Sequence, residues 1–176
     1  MINTTPEPLT YHQKTLLSFL RDASTFFIEE TKQDRASWKY RSFEEALLDI
    51  GQEMKPLVRP RRIKRGRPNL CYANCQQLVL HSDTLKYVEG YAVAADDRIS
   101  GCPIPHAWVV DTDGHAYDPT WKDVGWYYIG IVFPTPLVDN IWRSRARQGA
   151  EYEVSIFQGH YLDGQFLLKN GFPANS

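Results

Sequence analysis

A histidine and an aspartate stand close together in the segment from Pro105 to Trp121, which reads PHAWVVDTDGHAYDPTW. The pattern predicts a β-hairpin, with an apolar first strand, a turn that contains Gly114, and a short return strand that a proline stops. His106 begins the first strand and Asp118 ends the second. An imidazole base that is oriented by a carboxylate is the pair of groups that activates a nucleophile.

The length of the turn decides whether these two side chains can meet. A two-residue loop, Asp113-Gly114, would direct Asp118 away from His106. A three-residue loop over 112–114, with the glycine left-handed, places Trp108 opposite Asp118. His106 is then the diagonal neighbour of Asp118 on the same face, with Cβ atoms about 7–8 Å apart. The proposed pair therefore requires the three-residue loop.

A candidate nucleophile lies upstream, in a segment that reads NLCYANCQQLVLHS. Pro68 and Asn69 predict a helix start with Asn69 as N-cap, and the apolar positions fit a buried helix that continues to about His81. Cys71 would lie in the first turn, where the positive end of the helix dipole favours a thiolate. Cys75, one turn further in, is better interpreted as a small buried apolar residue.

The first third of the chain has the spacing of helices. Two helices are expected over 12–22 and 24–34, with Ser24 as the cap of the second. Ser42 begins a third, because Ser42 and Glu45 have the spacing of a capping box. Residues 1–11 are interpreted as a flexible tail, and residues 12–57 as a helical N-terminal part.

The remainder of the chain is richer in strand patterns. Besides the hairpin, strands are expected over 86–95, 126–133 and 151–157, and a helix with exposed arginines over 138–147. Because helices and strands are segregated, the fold class is α+β, with a central cysteine-bearing helix packed on an antiparallel sheet. The 176 residues are interpreted as one domain, with a core over 66–133 and a C-terminal extension over 135–176.

Composition excludes several classes of protein. The net charge is −1, which gives no overall attraction to nucleic acid, and no apolar run is long enough for a membrane span. The N-terminus lacks the pattern of a signal peptide. The three cysteines, an odd number, disfavour a disulfide framework, so we expect a protein of the reducing cytoplasm.

One segment departs from this neutral balance. Six of the nine residues from Arg59 to Arg67 are basic, and prolines bound the segment. It is either a contact for an anionic partner or a solvated connector whose charges keep the protein in solution.

These motifs resemble the transglutaminase-like branch of the papain-like superfamily. In that family a cysteine begins a helix, a strand of the form Y-V-x-G-Y follows, and the next two strands carry H-A-W and D-P-T. Here the corresponding residues are Cys71, the YVEGY of 87–91, the HAW of 106–108 and the DPT of 118–120. The resemblance covers about residues 66–133, and it implies a papain/transglutaminase-like fold.

The resemblance also implies roles for particular residues. Cys71 corresponds to the nucleophile, His106 to the general base and Asp118 to the orienting carboxylate. The implied chemistry is acyl transfer from an amide or ester through a thioester, to water or to an amine, without a cofactor. The residues themselves leave open whether this is peptide cleavage, deamidation, amide hydrolysis or cross-linking.

The rest of the implied site departs from the family pattern. The family's G-x-C is N-L-C here, and no glutamine stands shortly before the cysteine, so Asn69 is taken as the second oxyanion donor beside the Cys71 amide. Trp108 and Trp121 either line a substrate groove or belong to the core.

Two other functions are compatible with the sequence. Cys71, Cys75, Cys102 and His106 form a Cys₃His set of the kind that binds structural zinc. Alternatively, the chain is a catalytically silent relative that binds a partner through Arg59–Arg67. The acidic residues Asp96, Asp97, Asp111 and Asp113 lack a calcium-loop motif, so no metal is predicted there.

Overall fold

The computed structural model describes residues 10–30, 35–95, 101–150, 153–157 and 162–173. The helices are α1 (Tyr11–Glu30), α2 (Phe43–Ile50), α3 (Cys71–Leu80), α4 (Thr135–Arg147) and α5 (Leu162–Asn170). The strands are β1 (Gln52–Met54), β2 (Pro56–Leu57), β3 (Leu85–Val93), β4 (Pro103–Asp111), β5 (Ala116–Tyr117) and β6 (Tyr127–Phe133). Within these ranges, every helix falls short of the length or the apolar character that a membrane crossing requires.

The N-terminal helical region has one helix where the sequence predicted two. α1 continues through Ser24, the expected cap, which is only 5% exposed. The break was predicted wrongly because residues 12–30 contain no glycine or proline, so nothing in this stretch stops the helix. The end of the predicted second helix, at 31–34, lies outside the described residues.

The capping box at the start of α2 is confirmed in its main contact. The backbone N–H of Glu45 donates to Ser42 Oγ over 3.1 Å. The Glu45 carboxylate reaches one residue further back than predicted and accepts from the Arg41 amide. The helix ends at Gly51, whose N–H donates to the Leu47 carbonyl.

The prediction that residues up to 57 are helical is wrong. β1 and β2 follow α2 directly, and they lie at the two edges of the sheet. Pro56 lacks the N–H that a helix interior needs, so the chain after Gly51 is extended and bonds to the sheet instead.

The strands form one nearly closed sheet in the order β1-β6-β3-β4-β5-β2. Four neighbouring pairs are antiparallel, as predicted, but β2 runs parallel to β5. The sheet is therefore mixed, and the expectation of a purely antiparallel sheet is wrong at that edge. In the β3–β4 ladder, Gly90 lies opposite His106.

The core has two parts. A larger cluster joins helices and sheet from Leu16 in α1 to Leu167 in α5, and it includes Cys75 of α3. A smaller cluster contains Trp108 and Tyr128, together with their neighbours on the other face of the sheet. Successive strand residues point to opposite faces, so each central strand contributes to both clusters.

The C-terminal region differs from its prediction. Residues 153–157 are not a strand, while 151 and 152 lie outside the described residues. Arg145 of α4, expected at the surface, is 2% exposed and donates to Asp163 Oδ2 over 2.8 Å. Its guanidinium also donates to the carbonyls of Ser155 and Ile156. Side-chain bonds from Arg145, rather than a strand ladder, hold this segment.

Candidate active site

Helix α3 begins with Cys71, but its cap is not the predicted one. Leu70 occupies the cap position, and no side chain caps the helix. Asn69 lies one residue earlier, with φ of 62°, a left-handed conformation that asparagine tolerates better than most residues. The sequence was right about the start of the helix and wrong about Asn69 as its N-cap.

The hairpin has the three-residue loop that the proposed pair requires. The Asp111 amide donates to the His115 carbonyl, and Val109 pairs with Tyr117. Gly114 has φ of 82°, the left-handed conformation that this loop needs. The predicted register is confirmed, and it places His106 and Asp118 on one face.

The two side chains meet inside the protein. His106 Nε2 lies 2.7 Å from Asp118 Oδ2, and the two residues are 2% and 6% exposed. The same carboxylate oxygen accepts from the Tyr128 hydroxyl over 2.8 Å. Oδ1 accepts from the backbone N–H groups of Thr120 and Trp121. Asp118 is thus held at both oxygens, so its position fixes that of the imidazole.

This contact keeps both groups charged. Burial disfavours the imidazolium, but the charge and hydrogen bond of Asp118, with a smaller contribution from Cys71, raise the pKa of His106 to about 9. Burial also disfavours the carboxylate of Asp118, yet His106 and the backbone donors lower its pKa below the usual 3.8. At neutral pH the pair is therefore an imidazolium and a carboxylate.

Cys71 is close enough to the same imidazole to contribute to the raised pKa of His106. Since Nε2 is bound to Asp118, the nitrogen left for the thiol is Nδ1. Cys71 is partly buried, whereas Cys75 is fully buried and Cys102 is exposed. Burial, and then the nearby Asp118 carboxylate, raise the pKa of Cys75, which keeps that thiol protonated. Of the three cysteines, Cys71 has the environment of a nucleophile.

The two tryptophans have different positions. Trp121 is partly buried and stacks on His106, with ring centroids 4.0 Å apart and an interplanar angle of 13°. Trp108 is 0% exposed, and its indole N–H points at Met54 Sδ. Of the two alternatives left open by the sequence, Trp108 therefore belongs to the core and does not line a groove. Strand alternation placed it on the His106 face, which is interior at that depth.

Two further residues position the site, and neither was found from the sequence. Tyr128 donates to Asp118, and Asn74 of α3 donates to Thr120 Oγ1 over 2.9 Å. Asn74 also bonds to both backbone groups of Arg67. It thereby joins the basic segment, the cysteine helix and the turn after Asp118. The Asp-Pro-Thr motif is a signal for that turn, but nothing local identifies its partners.

The two predicted oxyanion donors are the Asn69 side chain and the Cys71 backbone N–H. Asn69 is exposed, and its side chain forms no hydrogen bond to any residue that the structure describes. Cys71 is the first helical residue, so its backbone N–H is one of those that a helix leaves unpaired. That N–H is the donor that the fold supplies, and Asn69 stays a prediction.

The predicted Cys₃His ligands do not come together. Within the described ranges, which contain all four residues, the one group of side chains close enough to share an ion is Asp111, Asp113 and His115. Asp111 Oδ1 already accepts from two backbone N–H groups of the turn. The carboxylate thus closes the hairpin loop, and the geometry gives no support to the structural zinc site. Asp96 and Asp97 lie outside the described residues.

Comparisons with known proteins identified no similar protein. A scan against protein-family models found no match, and searches of curated proteins and of solved structures found no significant match either. The resemblance to the transglutaminase-like family therefore rests on the motifs in the chain.

Proposed function

We propose that the protein is a cysteine enzyme that transfers an acyl group from an amide or ester through a thioester on Cys71. One observation carries the proposal: the buried imidazole of His106 lies 2.7 Å from the Asp118 carboxylate, and Cys71, the first residue of α3, is near enough to that imidazole to affect its pKa. This is the arrangement of nucleophile, base and orienting group used in nucleophilic catalysis.

The steps follow from this geometry. The Cys71 thiolate attacks the carbonyl carbon, and a bond forms between Sγ and that carbon. His106 gives its proton to the leaving amine or alcohol as the C–N or C–O bond breaks. Water or an amine then attacks the thioester and loses a proton to His106, and the C–S bond breaks. Cys71 leaves as the thiolate, so the thiolate and imidazolium are restored.

The neighbouring groups support these steps. Asp118 holds Nε2 and so leaves Nδ1 for the thiol, and Trp121 covers one face of the imidazole. The N–H of Cys71 at the helix start, with the proposed help of Asn69, stabilises the oxyanion. A cytoplasmic location belongs to this proposal, since a reducing compartment would keep the Cys71 thiol free.

The test is a comparison of cysteine reactivity and acyl-enzyme formation. Wild type and the variants Cys71→Ala, His106→Ala and Cys75→Ala are treated with iodoacetamide and with p-nitrophenyl acetate, and adducts are located by mass spectrometry. We expect modification at Cys71 first, loss of acylation in Cys71→Ala, and a rate about 100-fold lower in His106→Ala.

Cys75→Ala is the matched control, because it removes a thiol of the same helix that lies in the core. It should acylate at Cys71 as the wild type does. Equal, slow labelling of Cys71 and Cys75, with no acyl adduct on Cys71, would overturn the proposed enzyme activity.

A second candidate function is favoured by a cleft that lies along α3. The cleft has a volume of about 500 Å³, and Arg62, Lys64, Arg65 and His81 line it. The Arg62 side chain is 66% exposed, and its guanidinium lies 3.7 Å from Asp111 Oδ2. A non-catalytic protein would bind an anion here through the Arg59–Arg67 segment. Titration of the Cys71→Ala variant with polyphosphate at increasing salt would detect such binding.

A further inference from the structure

A separate cavity of about 350 Å³ lies beside the candidate triad. Three of its lining residues are direct neighbours of triad residues. Tyr72 follows Cys71, Pro105 precedes His106, and Gly90 pairs with His106 in the β3–β4 ladder. A molecule whose carbonyl lies at Cys71 would therefore have part of its structure in or near this cavity.

The cavity combines aromatic rings with carboxyl groups. Its main side chains are Phe43, Glu44, Tyr72, Glu89, Tyr91 and Phe157. The rings of Phe43 and Phe157 stack with centroids 4.0 Å apart, which gives the cavity one rigid wall. Aromatic faces beside a carboxylate are the surroundings that favour an ammonium or guanidinium ion.

The two carboxyl groups are not equivalent. Both oxygens of Glu89 accept hydrogen bonds. Ser155 donates to Oε1, and the Tyr87 hydroxyl and the Ile156 amide donate to Oε2. Glu44 is 5% exposed, and its Oε1 accepts from the Tyr91 hydroxyl over 2.7 Å. Glu44 Oε2 accepts no hydrogen bond from any residue in the described ranges.

The position of Glu44 in α2 accounts for only part of this arrangement. Glu44 is in the first turn, where the helix dipole stabilises a negative charge. The dipole does not supply a hydrogen-bond donor to Oε2. A cationic ligand in the cavity would supply the donor to Oε2 that no residue in the described ranges supplies.

We propose that this cavity binds a positively charged group of the acyl substrate, a primary ammonium or a guanidinium, through Glu44. The inference rests on the proposed function for the identity of the ligand as a substrate. Recognition of the charge by Glu44, however, can be measured without turnover.

The experiment uses methanethiosulfonate reagents that differ in charge. The 2-aminoethyl reagent carries an ammonium and the 2-sulfonatoethyl reagent carries a sulfonate, and both convert a thiol into a mixed disulfide. The measured quantity is the ratio of the two rates at Cys71, divided by the same ratio at the exposed Cys102. We expect this normalised ratio to fall about tenfold from wild type to Glu44→Gln.

The control is Glu29→Gln, which removes the same charge from an exposed position on α1 that does not line the cavity. It should have the wild-type ratio. Glutamine at 44 can still accept from Tyr91, so that variant preserves the local bond. Tyr91→Phe is a second variant, and it should lower the ratio by less, since Glu44 loses the group that orients it. An unchanged ratio in Glu44→Gln would overturn the proposal.

Turnover then separates this inference from the proposed function. The p-nitrophenyl esters of Nα-acetyllysine and Nα-acetylnorleucine differ in the side-chain ammonium group, which only the lysine ester carries. If both esters are hydrolysed with equal kcat/KM, and Glu44→Gln does not change the ratio of the two values, the cation site is overturned. Acyl transfer is then still supported. If neither ester is hydrolysed but the normalised ratio of methanethiosulfonate rates falls in Glu44→Gln, acyl transfer fails and the cavity remains a cation site.

Discussion

Two carboxyl groups are buried in the sheet region, and their hydrogen bonds are similar in kind. Asp118 accepts from a tyrosine hydroxyl, that of Tyr128, and from backbone N–H groups. Glu89 accepts from the Tyr87 hydroxyl, from Ser155 and from the Ile156 amide. Among the residues that the structure describes, Asp118 faces a group that can carry a positive charge, His106, and Glu89 does not.

That one difference reverses the direction of the pKa shift. Burial opposes ionisation of Asp118, but the charge of His106 lowers the pKa of the carboxyl. Burial of Glu89 outweighs all its hydrogen bonds and raises its pKa. Hydrogen bonds alone do not offset the effect of burial on the pKa of Glu89, whereas a paired charge does so for Asp118.

The largest expected effect is on the activity of Asp118→Asn. The amide would donate to Nε2 and leave a protonated Nδ1 facing the thiol, which is the wrong tautomer for a base. We expect kcat for ester hydrolysis to fall by about 10⁴. Glu89→Gln removes no group that orients His106 and should cost far less. Similar losses in both variants would show that Asp118 has no special role.

The next effect is on stability. His106→Ala leaves the Asp118 carboxylate buried without its counter-charge, which we expect to lower the free energy of unfolding by about 3–5 kcal/mol at pH 7. Urea denaturation measures this loss. The double variant with Asp118→Asn should recover part of it, because both charges are then gone. A loss below about 1 kcal/mol would contradict the ion pair.

The pH dependence of this loss has a definite sign. The folded-state pKa of His106 is about 9, above the usual 6.5. The stabilisation from its charge is therefore complete below 6.5 and is lost as the pH rises through 9. The stability difference between wild type and His106→Ala should shrink over that window, which denaturation at pH 6, 8 and 10 would show.

In acid the two carboxyl groups should behave in opposite ways. The pKa of Asp118 is lowered, so its stabilisation is present above 3.8 and is lost as the pH falls. The pKa of Glu89 is raised, so its ionisation costs stability as the pH rises above 4.5. Acidification should destabilise wild type relative to Asp118→Asn and stabilise it relative to Glu89→Gln. Unfolding curves are measured between pH 3 and pH 6. If acidification changes the stability of wild type in the same direction relative to both variants, the opposite pKa shifts of Asp118 and Glu89 are refuted.

The smallest effect separates the two tyrosines. Tyr128→Phe removes a donor to a charged acceptor and should cost about 2 kcal/mol, whereas Tyr87→Phe removes a donor to a carboxyl whose pKa is raised and should cost about 1 kcal/mol. Urea unfolding at pH 5 compares the two variants. Equal costs would place the two carboxyl groups in the same charge state.

Local turn and cap chemistry made part of this structure predictable from the sequence. The three-residue loop follows from a glycine at its left-handed position, and it fixes which residues share a face with His106. The start of the cysteine helix and the Ser42 capping box follow from equally local signals. Each of these depends on residues fewer than six positions apart.

Contacts between distant parts of the chain were not predictable in this way. The parallel pairing of β2 with β5 involves two residues of each strand and joins segments 60 positions apart, such as Pro56 and Ala116. The sequence around Arg145 predicted only that it lies on a helix. Its burial depends on the carbonyls of Ser155 and Ile156, in a segment that is neither strand nor helix. Alternation placed Trp108 on a face but gave no information on its depth.

The stacking of Trp121 on His106 also gives the protein an optical reporter. A protonated imidazole quenches the emission of an adjacent indole, and the two rings here are 4.0 Å apart. The intrinsic fluorescence of Trp121 should therefore brighten as His106 loses its proton. Acylation of the Cys71 thiol alters the surroundings of the same imidazole. It would therefore change the Trp121 fluorescence as well, without any added dye.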